Sequence, residues 1–304
     1  MEKVKKNPWV TLAKVILILI LVVALIFGGI FAFIKIKYDI NIFTTIKQLK
    51  AFGKEPNVEK IVSYPFDNDT LDAGLLKLDN VGLSSIYTKD GSKVTFDLEN
   101  IENAVTINAE LSLSDAELGA IVNAYFNSIM NSILSEDEQD LLGTAEVVQI
   151  KISNVENLAG GMTSAHFNII AKVDMGQFKS MLTAFPLSLI KDYVPQTLYI
   201  NATSKLTMTG NTMYTANYVD LKLNNLSTKQ TNELVKLLDK FLGIGSAFEL
   251  GKSIGDMVGE LLIGNADAPE GIVYSLSKAG AKSCGFRDVS GVGHFYISTQ
   301  ESVV

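Results

Sequence analysis

Two histidines, His166 and His294, and one cysteine, Cys284, are the side chains best suited to nucleophilic or metal chemistry. Cys284 and His294 lie ten residues apart and in composition make a thiol and a base. No nucleophile motif and no third, orienting group accompanies them, so no enzyme is expected. A zinc centre needs three or four N or S ligands at a recognisable spacing. Two His and one Cys scattered along the chain do not supply them, and neither metal nor cofactor is expected. The acidic run Glu136-Asp137-Glu138 lacks EF-hand spacing and reads as a solvated helix end. Gly245 followed by Gly251-Lys252-Ser253 resembles a phosphate loop, but five residues separate the two glycines where that motif needs four. His166 falls on the polar side of an alternating run and is expected to be exposed.

The apolar side chains are more informative. Leu118, Ile121, Val122, Tyr125, Phe126 and Ile129 recur at spacings of three and four, continued by Met130 and Ile133. Such spacing gives a helix with a wide apolar stripe. Its back, at Ala120, Asn123, Ala124 and Asn127, is small and uncharged. A second short helix carries Phe178, Met181, Leu182 and Phe185. These two sets are candidates to line an apolar ligand site, since aromatic and Met side chains adapt to irregular ligands. The same stripes would serve equally as packed core, and both readings stay open. Gly251, Gly255 and Gly259 fall at four-residue intervals on one helix face and permit close approach of another backbone. That approach is either to the protein's own sheet or to a partner.

The elements that must position these groups alternate between the two periodicities. Asp90-Gly91 lies between two β-like runs and signals a tight hairpin. Residues 104–113 alternate apolar and polar as a half-buried strand. Ser114 and Glu117 form a capping box that opens the striped helix. Strands are predicted at 145–153 and 164–173, and a long hairpin at 198–224. Ser227 with Gln230 is a second capping box, and a helix is predicted over 247–262. The tail is predicted to return to strands at 271–276 and 294–298.

Residues 15–34 run twenty positions without a charge. As a helix they reach roughly 30 Å, the thickness of a bilayer's hydrocarbon core. The run is longer than a signal-peptide core and lacks a small-x-small cleavage site, so an uncleaved anchor is predicted. Lys3, Lys5, Lys6 and Lys14 precede it, which puts the N-terminus in the cytoplasm. The expected organisation is therefore a cytoplasmic tail at 1–14, a transmembrane anchor at 15–34, a juxtamembrane stalk at 35–60 and an extracytoplasmic domain at 61–304. The total charge is −7, yet residues 1–54 carry nine Lys against two acids, which leaves −14 for the remainder. An acidic domain argues against nucleic acid as a partner. With one cysteine there is no internal disulfide, and stability must come from packing. Arg287 is the only arginine, so bidentate recognition of phosphate or carboxylate is nearly absent.

The order of these elements, with Leu111-Ser112-Leu113-Ser114-Asp115-Ala116-Glu117-Leu118 opening the helix and Pro186 and Pro195 ahead of the long hairpin, resembles the YpmS-type membrane-anchored envelope proteins. More distantly it is similar to the lipid-cradle folds. The resemblance covers about residues 10–242, and the chain departs from it after Gly243. It implies a long curved antiparallel sheet packed on amphipathic helices, and a role in binding or handling a lipid or other apolar ligand at the membrane. It implies no catalytic residues. The fold class expected is α+β: an N-terminal transmembrane helix plus an extracytoplasmic domain. The expected partners are the bilayer and either a lipid ligand or another envelope protein. A non-enzymatic envelope interaction module is the alternative.

Overall fold

The computed structural model describes residues 47, 49–91, 93–97, 109–133, 145–181, 191–208, 213–242, 245–266 and 271–300. The anchor predicted at 15–34 lies outside them, and so do Leu182 and Phe185. Among the described residues no helix is long and apolar enough to cross a membrane. The fold is α+β, with long antiparallel strands and several helices.

The described strands form three antiparallel sheets rather than one. The largest is a meander of β4 (Ala145–Asn157), β5 (Thr163–Asp174), β6 (Thr197–Met208) and β7 (Tyr214–Leu223), joined in sequence order. Strands this long exceed the usual five or six residues. They carry irregularities between Val147 and Gln149, between Ser153 and Glu156, and between Thr203 and Ser204. Each extra residue bends its strand and increases the twist. Asn154, in the second of these, takes a positive φ of 51°, which Asn tolerates better than most residues.

One face of the meander is apolar, with Ile150, Ile152, Phe167, Ala202 and Leu206 buried on neighbouring strands. The other face is polar and cross-linked. Gln149 Nε2 donates to Asn168 Oδ1 at 3.0 Å. Asn168 Nδ2 in turn donates to Asn201 Oδ1 at 2.7 Å and Thr203 Oγ1 at 2.9 Å.

A three-stranded sheet, β3 (Leu111–Ser114), β9 (Val292–Ser298) and β8 (Ser283–Val289), abuts the β4 side of the meander. Two glycines make that approach possible. A Cβ at Gly293 would stand 2.2 Å from the Ile152 carbonyl oxygen, and one at Gly285 would stand 2.6 Å from Thr163 Oγ1. Thr163 Oγ1 also accepts from the Phe286 amide at 2.9 Å, tying the two sheets together.

The hairpin of β1 (Tyr87–Asp90) and β2 (Lys93–Phe96) forms as predicted. Its register pairs Asp90 with Lys93, so Asp90 ends the first strand and the turn begins at Gly91, one position later than read. Gly91 takes the positive φ that the turn requires.

The helices begin where their caps lie. In α3 (Asp115–Ile133), Ser114 N donates to Glu117 Oε2 at 2.7 Å and Glu117 N donates back to Ser114 Oγ at 3.3 Å. The equivalent pair, Ser227 with Gln230, opens α5 (Thr228–Leu242). Ser246 with Glu249 opens α6 (Ala247–Leu262). Shorter helices are α1 (Val58–Ile61), α2 (Asn68–Asn80), α4 (Gly176–Met181) and α7 (Ile272–Lys278).

Three expectations are corrected. Residues 271–276 are not a strand. Val273 and Leu276, three apart, bury one face of α7, so packing overrides the β-like Ile-Val-Tyr run. The strand β8 was not foreseen, because Ser-Cys-Gly-Phe-Arg-Asp-Val shows no alternation and its first four residues are all buried. Nor is α3 packed on one long curved sheet, as the resemblance implied. It lies along the β4 edge, between α2, the β1–β2 hairpin and the three-stranded sheet. There Asn123 Oδ1 accepts from the Val147 amide at 2.9 Å, covering part of an edge that would otherwise be open.

The described part of the segment read as a stalk is packed, not free. Leu49 and Phe52 are buried in the core. Asn225 Oδ1 accepts from the Asn57 amide, and its Nδ2 donates to the Lys54 and Glu55 carbonyls. Asn224 Nδ2 donates to the Phe52 carbonyl. Further on, Gln149 Oε1 accepts from the amides of Ser63 and Tyr64 at 2.8 and 2.9 Å. Lys151 Nζ sits 3.8 Å from the Tyr64 ring centre. Residues 49–66 therefore form a strap bound to the rest of the domain. The apolar character of Leu49 and Phe52 was visible in sequence; their Asn and Gln partners, far along the chain, were not.

Candidate functional site

Helix α3 has two unlike faces, and the structure uses them for different purposes. Leu118, Ile121, Val122, Tyr125 and Phe126 are all buried in the core. Leu118, Ile121 and Tyr125 border a wholly apolar gap of about 30 Å³, shared with Leu78, Leu83, Phe96 and Phe295. That is the room of a single water, so this side of the helix is solid core. Phe96 meets Tyr125 edge-on with ring centres 5.6 Å apart. The side chains of Ile129, Phe178 and Met181 lie outside the described ones.

The back of α3 lines a half-open groove of about 500 Å³. Ala120, Asn123, Ala124, Asn127 and Ser128 form one wall. Because these side chains are short, neighbouring elements stand off without filling the space. The strap and the start of α2 supply Val58, Val62, Pro65, Phe66 and Leu71. Val94 comes from β2, Glu146, Val147 and Val148 from β4, Lys172 from β5 and Tyr199 from β6. Gly119 permits the close seat of Phe66, since a Cβ there would stand 2.8 Å from its ring.

Four charged side chains border the groove, and two of them, Lys172 and Glu146, neutralise one another. Lys172 Nζ pairs with Glu146 Oε1 at 2.5 Å, and this bond to Glu146 holds the Lys172 ammonium above its ordinary pKa. Asp67 caps α2, where its Oδ1 accepts from Thr70 Oγ1 at 2.7 Å and Thr70 N at 2.9 Å. These bonds from Thr70 hold its carboxyl below the usual value. Lys93 is exposed and makes no ion pair among the described residues. Asp90 stands opposite it in the hairpin register, but the two side chains form no ion pair.

The sequence pointed to α3 but to the other side of it. The signal that would have found the groove was the run of small residues at Ala120, Ala124 and Ser128. Lys93, Lys172 and the strap residues carried no such signal, because they come from separate parts of the chain: β2, β5 and the strap.

Gly251, Gly255 and Gly259 are covered by the protein's own sheet. Cβ atoms there would stand 2.2 Å from the Tyr218 ring, 2.4 Å from Ser204 Oγ and 2.0 Å from the Tyr214 ring. This is the sheet-packing alternative, and it leaves the glycine face no room for a partner.

The thiol and imidazole do not meet as a catalytic pair. Cys284 is opposite Ile297 in the β8–β9 register, and His294 is opposite Arg287. Burial pushes the Cys284 thiol up to about 12. His294 Nδ1 lies 3.0 Å from Ser112 Oγ. His166 is half-buried, and its Nδ1 lies 3.1 Å from Asn154 Nδ2. Among the described residues no three or more His, Cys, Asp or Glu gather as a metal site. A second, polar cleft of about 430 Å³ surrounds Arg287, whose Nη2 is paired with Glu110 Oε1 at 2.5 Å.

Desolvation, together with nearby Lys77 and Arg287, holds His294 below its ordinary 6.5, against the opposite pull of Glu117 and Asp115. A His with a depressed folded pKa is protonated more readily in the unfolded chain. Its cost to stability is absent above pH 6.5, begins as the pH falls through 6.5, and is complete below the folded value. The urea midpoint should therefore drop between pH 7.5 and 5.5, and His294→Gln should reduce that drop. An equal drop in the variant would remove His294 as its source.

Comparison of the chain with family models, with curated proteins and with solved structures returned no match.

Proposed function

We propose that this is a membrane-anchored, non-enzymatic protein that holds a lipid or other amphiphile in the groove behind α3, on the outer side of the membrane. The observation that carries the reading is the groove itself. An unfilled volume of about 500 Å³ stands on one side of α3, while the apolar gap on its opposite face is about 30 Å³. Ligand sites of a few hundred Å³ with apolar walls and a few polar groups are the usual kind. Each acyl methylene seated there would gain about 0.8 kcal/mol. The charge-free run at 15–34 supports the anchor, and the resemblance to YpmS-type and lipid-cradle proteins accords with the ligand class.

Two measurements test the reading. Thr215 is exposed on β7. Thr215→Cys, in a chain whose Cys284 has been replaced by Ser, should react with a membrane-impermeant thiol reagent in intact cells; reaction only after lysis would reverse the topology. Full-length protein extracted from membranes should carry amphiphile detectable by mass spectrometry, and Ala124→Leu should reduce it with the fold retained. A parent protein free of bound amphiphile would end the proposal.

A second reading, a docking site for another envelope protein, has one observation in its favour. Met213, Val219 and Phe248 are exposed along the β7 edge of the meander, and Phe248 stacks edge-on with Tyr218 at 5.5 Å.

A further inference from the structure

We infer that the groove behind α3 takes one acyl chain with an anionic headgroup, a fatty acid or an acidic lysolipid, and not a two-chain lipid. This rests on the amphiphile reading above and narrows it. Volume limits the number of chains. An acyl methylene occupies about the 30 Å³ of a liquid water molecule, so roughly 17 such groups fit in about 500 Å³. That is a single chain of palmitate length. Two chains and a glycerol exceed it, and the groove cannot widen cheaply on two sides. Ala120 and Asn123 belong to a helix whose opposite face is core, and the Val147 amide is held by the hydrogen bond it donates to Asn123 Oδ1 at 2.9 Å.

Charge sets the headgroup. The carboxylates at the rim are engaged: Glu146 holds Lys172, and Asp67 holds Thr70. Two rim charges make no ion pair among the described residues: Asp67, whose Oδ1 is taken up by Thr70, and Lys93, the cation left to meet an anionic head. Its neighbour Val94 is buried and lines the groove. A chain lying against Val94, Ala120 and Ala124 would bring a headgroup at the mouth to the Lys93 ammonium. A zwitterionic head would add its own cation beside Lys93 and lose that advantage.

The test uses the full chain in nanodiscs of zwitterionic two-chain lipid, with a diazirine-bearing palmitate as probe. Crosslinks are mapped by mass spectrometry. They should fall on peptides containing residues 120–128 and 146–148. Unlabelled palmitate and lysophosphatidylglycerol should compete, and the more effective of the two names the source. Lysophosphatidylcholine and two-chain phosphatidylglycerol should compete at least tenfold less well. Lys93→Gln, an exposed substitution with no bearing on the core, should lower crosslinking about tenfold and erase the preference for an acidic head. Equal competition by lysophosphatidylcholine, or an unaltered Lys93→Gln, would overturn the anionic assignment. Equal competition by the two-chain lipid would overturn the single chain. In each case the groove still binds amphiphile. Absence of groove crosslinks in the parent would overturn the inference and the function together.

Discussion

Phe126→Ala should lower the stability of the domain by about 3–5 kcal/mol, the range for truncating a fully buried Phe. Phe126 is 2% exposed, on the solid side of α3. The space left by its ring would open inside packed core, since Phe126 is buried and is not among the residues that line the groove. Collapse can recover only part of the loss. At roughly 2–4 °C per kcal/mol for a domain of this size, the melt should move by about 10 °C. Amphiphile content should fall only as far as the fold does. A variant with an unmoved melt but no bound amphiphile would mean that Phe126 faces the ligand, reversing the two faces of α3.

Asn224→Ala should cost about 3 kcal/mol or more, although Asn224 is near the surface in sequence terms, just after a strand. It is 7% exposed and joins three pieces of chain. Its Oδ1 accepts from the Tyr199 amide at 2.6 Å, and its Nδ2 donates to the Thr197 and Phe52 carbonyls at 3.1 and 3.3 Å. Removing the amide leaves these groups without that partner, at about 1–3 kcal/mol for each that water cannot reach. Its φ is +48°, a conformation that Ala resists and Gly accepts. Asn224→Gly should therefore lose the same bonds but less stability than Asn224→Ala, and the difference reports the backbone. Proteolysis should then begin in residues 49–66 before it reaches the meander. Equal melts for parent and both variants would mean that the strap contributes nothing to the fold.

These two residues also measure what sequence could tell. Phe126 belonged to a stripe that periodicity alone identified, and the cap at Ser114 located its helix to the residue. The long hairpin and the helix over Ala247–Leu262 were legible for the same reason: local pattern and local chemistry agree there. Asn224 carried no such mark. Its role depends on Phe52, 172 positions earlier. The groove is likewise non-local, since Val58, Val94, Ala124, Val147 and Tyr199 come together only through the sheet order. In β8 the failure was of another kind. A strand buried on both faces loses the alternation by which strands are recognised.

The strap imposes an order in time. Its residues leave the ribosome early, but Gln196, Asn224 and Asn225, which hold Glu55, Phe52 and Asn57, follow some 141 to 172 residues later. At about 5–20 residues per second, synthesis of that interval takes roughly 7–35 s. Throughout it, Leu49 and Phe52 have no core to enter. The first part of the domain to be made is thus among the last to find its place, and a nascent chain paused before β7 would present it bare to any chaperone or protease within reach.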